Sequence, residues 1–203
     1  MVGRYREQIS KRAVSAITIV NRTELSSARI EGMFHRAADG WLTPRLKVVV
    51  RYSRGAVYSG TFASNPARIY VNLGRRNRYP LRVDTAVAKA KTVGRSWWKP
   101  TYSIKVADEY QLALFVFLHE FYHYLVQQAR RNSQRKEAMC DRFAVRYLVD
   151  HCRLTVADSA GRPVPRGAWF FQDLDDFVTD RKTVPPTARA ARRPRTAARS
   201  KRC

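Results

Sequence analysis

Apolar and polar positions divide the chain into three kinds of segment. Residues 5–37 carry apolar side chains at helical spacing, without proline and without internal glycine before Gly32, which predicts one or two helices. Three shorter runs follow: "RLKVVVRYS" (45–53), "AVYSGTFAS" (56–64) and "ARIYVNLG" (67–74). They are rich in Val, Tyr, Phe and Ile and are separated by "RG" and "NP" turn pairs, so they read as a small, mostly antiparallel sheet. Residues 75–105 read as a long connection, ending in a further strand at "TYSIKV" (101–106). Asp108 is placed to cap a helix running to about Gln128, and a second helix is predicted from about Lys136 to Val149. After Leu154 the chain turns irregular through "GRPVPRG", and "WFFQDLDDFV" is predicted to dock as a short helix. From Arg181 the chain is Pro, Ala, Thr and Arg without an apolar period, which cannot offset the entropy of ordering a backbone. No internal repeat is visible. The expected organisation is an α+β domain over residues 1–180 and a disordered basic tail over 181–203.

Within this pattern "LFVFLHEFYHYLV" (114–126) is anomalous. Leu114, Phe115, Val116, Phe117, Leu118, Leu125 and Val126 predict a helix buried nearly all round, yet His119, Glu120 and His123 stand among them. Such groups lose hydration when buried, so a ligand or a hydrogen-bond network must compensate. His119-Glu120-Phe121-Tyr122-His123 has the HExxH spacing, which on a helix puts both imidazoles on one face. Two nitrogens converging on one point form a Zn2+ site that still lacks a protein ligand and keeps an open position. Glu120, beside them, is placed as the general base that takes a proton from a metal-activated water. The competing reading is two core histidines satisfied by backbone carbonyls.

The next helix supplies candidates for the third ligand. In "KEAMCDRFAVRYL" (136–148), Glu137 and Asp141 lie four residues apart on one face. Glu137 would bind the metal, and Asp141 would accept the outer N–H of a ligand histidine and fix its tautomer. Two rivals stay open. Cys140 is either a ligand or a small buried thiol, and His151 is a third ligand, a surface residue or a transition-state donor near an oxyanion.

HExxH followed by ExxxD with "DRFA" resembles the gluzincin metallopeptidases. The short separation and small size are similar to the minimal gluzincins and the ImmA/IrrE-like family, over about residues 107–150. The pattern departs from the latter at Met139 and Cys140. The resemblance implies a zincin-like fold, with the sheet packed on the HExxH helix and the ExxxD helix following it. It also implies an edge strand that holds peptide substrate as an added strand, here assigned to Ile69, Tyr70, Val71 and Asn72 of "ARIYVNLG".

Charge adds a partner to this picture. The 203 residues contain 39 Lys and Arg against 16 acids, a net charge of +23. Nine of the basic residues fall in 181–203, which has no acid, so the body is basic as well. Segment 75–105 has nine basic residues, Asp84 as its one acid, and Tyr79, Trp97, Trp98 and Tyr102 interleaved. That composition suits phosphate contact with base stacking, so nucleic acid is the expected partner of both this loop and the tail. Arg4, Arg6, Lys11 and Arg12 before "AVSAITIV" faintly resemble a signal peptide, but the apolar run is short and "NRTE" follows it. No uncharged apolar stretch approaches the ~20 residues of a membrane span. Three cysteines without framework spacing (Cys140, Cys152, Cys203) suit a reducing, cytoplasmic setting. The expected function is a zinc endopeptidase acting near nucleic acid. Its rivals are a nucleic-acid-binding protein with a structural or vestigial zinc site and a regulator of the ImmA/IrrE kind that cleaves or contacts a repressor.

Overall fold

The computed structural model describes residues 17–132 and 136–179. Thr18–Arg22 forms β1, where the helical spacing of residues 5–37 had predicted helix. Its Ile and Val suit a pleated strand, and all five of its residues pair in parallel with β2 (Lys47–Tyr52). Helix α1 (Ser27–Ala38) makes the crossover between the two strands, and Ser26 caps it by accepting from the Arg29 N–H. Phe34 of α1 stacks on Phe117 with centroids 4.2 Å apart.

Two further strands, β3 (Tyr58–Ser64) and β4 (Ala67–Leu73), complete a four-stranded sheet of order β1-β2-β4-β3. The sheet is mixed, which corrects the mostly antiparallel expectation. Strand β2 runs parallel to both β1 and β4, and only the β3–β4 hairpin is antiparallel. The physical reason is a swap of position: the chain leaving β2 passes over β4's place, forms β3 on the far side and turns back into the gap.

The expected long connection is largely structured. It contains β5 (Leu81–Thr85), which pairs antiparallel with β8 (Tyr102–Val106), and between them a small ribbon of β6 (Lys91–Val93) and β7 (Ser96–Trp98). Tyr102 is buried in β8.

Helix α2 (Glu109–Gln128) begins at Asp108, whose side chain accepts from the Gln111 N–H as an N-cap. Its residues are buried on nearly every side because it packs on β3 and β4 across one face and on α3 (Glu137–Cys152) across another. Arg153, left-handed at φ 58°, ends α3. The aromatic segment docks as anticipated. Trp169 and Leu174 are buried, α4 (Leu174–Val178) starts at the Asp173 cap, and the Tyr122 hydroxyl donates to the Leu174 carbonyl at 3.0 Å. The architecture is thus α+β. Among the described residues no helix is long and apolar enough to cross a membrane. The signal-like N-terminus up to residue 16 and the basic tail 181–203 lie outside the described residues.

Candidate metal centre

One turn of α2 separates His119 from His123, and their rings lie 5.3 Å apart. Across the groove, at the first position of α3, Glu137 offers Oε2 at 3.0 Å from His119 Nε2 and Oε1 at 3.3 Å from His123 Nε2. Two ligands about 2.0–2.1 Å from one tetrahedral ion stand about 3.4 Å from each other. Glu137 is therefore within ligand spacing of each imidazole nitrogen, through a different carboxylate oxygen for each. Cys140, one turn along α3, is a second candidate: a ligand atom from each of His119, His123 and Cys140 lies within 4.8 Å of the others, so these three could also hold a metal ion. Burial pushes the Cys140 thiol up, and the charges of Glu137, Glu120 and Asp141 push it further.

The other nitrogen of His119 is fixed. His119 Nδ1 lies 2.8 Å from Asp141 Oδ1, and Asp141 Oδ2 accepts the Ala86 N–H at 2.6 Å. A carboxylate bound from both sides holds the ring, and an Nδ1–H donated to it directs the Nε2 lone pair toward Glu137. A lone pair facing a carboxylate at 3.0 Å needs a proton or a cation between them. Burial lowers the pKa of His119, but the Asp141 hydrogen bond and the charges of Asp141, Glu120 and Glu137 outweigh it, and the net shift is upward. The donor set of two imidazoles, a carboxylate and a neighbouring thiol thus fits a cation with zinc's preferences.

Glu120 is set against the sheet. It is only 8% exposed, and burial, helped by the charge of Glu137, pushes its carboxyl up to about 7 against the pull of His119 and of a hydrogen bond from the Phe62 backbone N–H. It fits because residue 60 is glycine: a Cβ there would stand 2.2 Å from Glu120 Oε1 and 2.6 Å from Cγ. On either side β3 lies against the same helix through edge-to-face contacts, Tyr58 with Phe115 at 6.2 Å and Phe62 with Tyr124 at 5.9 Å. Sequence reasoning did not single out Gly60. A lone glycine inside a β-branched and aromatic run was the available signal, since it marks a close approach.

Among the described residues β3, not β4, is the open edge beside this site. Strand β4 pairs on both sides, with β2 and with β3. Ile69 and Val71 are core residues, and Tyr70 packs beneath Arg51 and Arg68. The Asn72 amide is held inside the sheet by Arg51 Nε at 2.7 Å and by Ser59. The assignment of the substrate edge to Ile69, Tyr70, Val71 and Asn72 is therefore corrected: an internal strand has no free ladder to offer. His151 lies fourteen residues beyond Glu137 on α3, about 20 Å along the helix axis, with its ring 4.3 Å from Tyr147. The fold does not bring it to the two histidines.

Comparison with known proteins finds no matching family model, no matching curated protein and no matching solved structure.

Proposed function

We propose that the chain is a zinc-dependent endopeptidase of the gluzincin type, with a zincin-like arrangement in which His119, His123 and Glu137 hold Zn2+ and Glu120 is the general base. One observation supports this reading: Glu137 lies within ligand spacing of each histidine, while Glu120, next to His119 in sequence, is seated against Gly60 of the sheet. A ligand and a proton carrier are thus separated in space. Zinc bound there would supply a Lewis acid for a water and a carbonyl group. Glu120 takes the proton from the attacking water and returns it to the departing amine nitrogen, a role suited to a carboxyl whose affinity for protons burial has raised toward neutrality. Asp141 keeps His119 in the tautomer that presents Nε2 to the ion. The side of β3 that pairs with no other described strand is the surface on which an extended peptide would add as a further strand.

A second reading, in which the metal is structural, rests on Cys140. Its thiol lies close enough to both histidines to take a coordination position, and a site closed by Glu137 and Cys140 together has no vacancy for substrate.

The experiment is metal analysis of wild type, Glu120→Gln and Cys140→Ala beside hydrolysis of an unfolded protein. The proposal expects about one zinc in all three, with hydrolysis by Glu120→Gln slower by roughly 100-fold or more. Equal rates in wild type and Glu120→Gln, or no zinc-dependent hydrolysis by wild type, would overturn it. Loss of zinc from Cys140→Ala would install the structural reading.

A further inference from the structure

The small ribbon between β5 and β8 is at odds with the rest of the fold. In β7 every residue is exposed, Trp97 at 71% and Trp98 at 48%. Trp97 stands opposite Thr92 and Trp98 opposite Lys91, so the two indoles leave the ribbon on opposite faces, and both are left exposed. An isolated pair of short strands is marginal on its own, and large aromatic groups left in water add nothing to it. The ribbon is nonetheless well founded: Val87 and Ala88 are buried just before it, the Lys89 N–H donates to the Ala168 carbonyl at 3.4 Å, and Ala86 is hydrogen-bonded to Asp141.

Its charge is one-sided. Between Asp84 and Asp108 there are five basic residues and no acid. Lys91, Arg95 and Lys99 are exposed around the two indoles, and the Lys91 ammonium lies 5.2 Å from the Trp98 ring. Of the anionic partners, lipid surfaces and nucleic acid are the two that also take up exposed indoles. A membrane-inserting hairpin carries its apolar groups at the tip, whereas here the two-residue turn is Gly94 and Arg95, with the indoles set back along the strand. Indoles on both faces with cations between them instead match the two needs of an unpaired strand: flat apolar faces for bases and positive charge for phosphates.

We infer that the β6–β7 ribbon binds single-stranded nucleic acid, with Trp97 and Trp98 stacking on bases from its two faces and Lys91, Arg95 and Lys99 contacting phosphates. This inference does not depend on peptidase activity. Anchoring at the ribbon would bring protein attached to such a strand close to the metal centre, because Ala86, at the ribbon's foot, bonds the carboxylate that orients His119.

The test uses the full chain, tail included, and the fluorescence anisotropy of a labelled, mixed-sequence DNA strand of about 20 nucleotides, long enough to exceed common single-strand sites. Trp97→Ala and Trp98→Ala should each weaken binding about tenfold, with little change in salt slope, because stacking releases no counterions. Trp97→Phe should recover most of the loss. Replacing Lys91, Arg95 and Lys99 together by Gln should weaken binding and flatten the salt slope. Glu120→Gln should bind as wild type does, which separates this inference from the peptidase reading. Wild-type affinity in the Trp97→Ala, Trp98→Ala double variant overturns the proposal. So does an equal loss on duplex DNA, or a tryptophan-dependent affinity for phosphatidylserine vesicles in place of DNA.

Discussion

Two places in this molecule reverse the usual distribution of polarity. On α2, His119, Glu120 and His123 are polar groups set among buried aromatic and aliphatic residues, while on β7, Trp97 and Trp98 are apolar groups left in water. In the first place most of the polar atoms have an identifiable partner: Asp141 and Glu137 for His119, Glu137 for His123, the Phe62 N–H for Glu120. In the second, Lys91 approaches the Trp98 ring, and among the described residues no ring or cation contact is made with Trp97. The difference distinguishes a site assembled by the fold from one that needs something outside it. A buried polar cluster without partners would destabilise the fold, whereas an exposed indole without a partner costs it little.

The comparison breaks most easily at the ligands. His119→Ala or His123→Ala should abolish stoichiometric zinc binding measured by calorimetry, a larger loss than the roughly 10- to 100-fold expected when only a ligand's hydrogen-bond partner is removed. Retention of zinc would mean that the polar cluster serves packing alone. Gly60→Ala comes next. Its Cβ would occupy the space of Glu120 Oε1, so hydrolysis should slow roughly 10- to 100-fold while zinc content stays near wild type.

Stability against pH sharpens the same point. In metal-free protein the pKa of Glu120 is raised to about 7 from 4.5 and that of His119 is raised from 6.5, so the folded state holds both protons more tightly than the unfolded chain. The Glu120 contribution is fully present below pH 4.5 and is lost as pH rises through about 7; the His119 contribution is present below 6.5 and is lost above it. Thermal melting with chelator should therefore show stability falling by a few kcal/mol between about pH 5 and 8. Added zinc should flatten the curve, because the cation replaces the protons. Least of all, Trp97→Ala should change stability by no more than about 0.5 kcal/mol in the same melts. A loss well above 1 kcal/mol would mean that the indole packs on the body, and the contrast between the two regions would fail.

What could be read in advance follows the range of the interactions. Helix α2 from its Asp108 cap, and the relation of Glu137 to Asp141 on one face of α3, depend on spacings of three and four residues, which a linear pattern displays. Thr18–Arg22 was misread because a five-residue run containing Ile and Val fits either period when its partner strand is unknown. The turn at Asn65 and Pro66 marks a hairpin, but nothing local says which arm will be inserted beside β2. That choice decided whether Ile69 to Asn72 would lie at the edge or inside. Gly60 was visible as an irregularity in a strand, yet its purpose depends on a carboxylate sixty residues later.

That last separation has a consequence for the order in which the protein matures. The proposed metal donors belong to one helical hairpin, with His119 and Glu137 only 18 residues apart, whereas the N–H that seats Glu120 comes from a strand 58 residues upstream. Contacts of short sequence separation close early in folding, and those of long separation close late. On the proposed function, chelation is a local property of α2 and α3, while Glu120 is seated only when the sheet docks. On that same reading, a chain halted before that step would hold its metal and still lack its proton carrier.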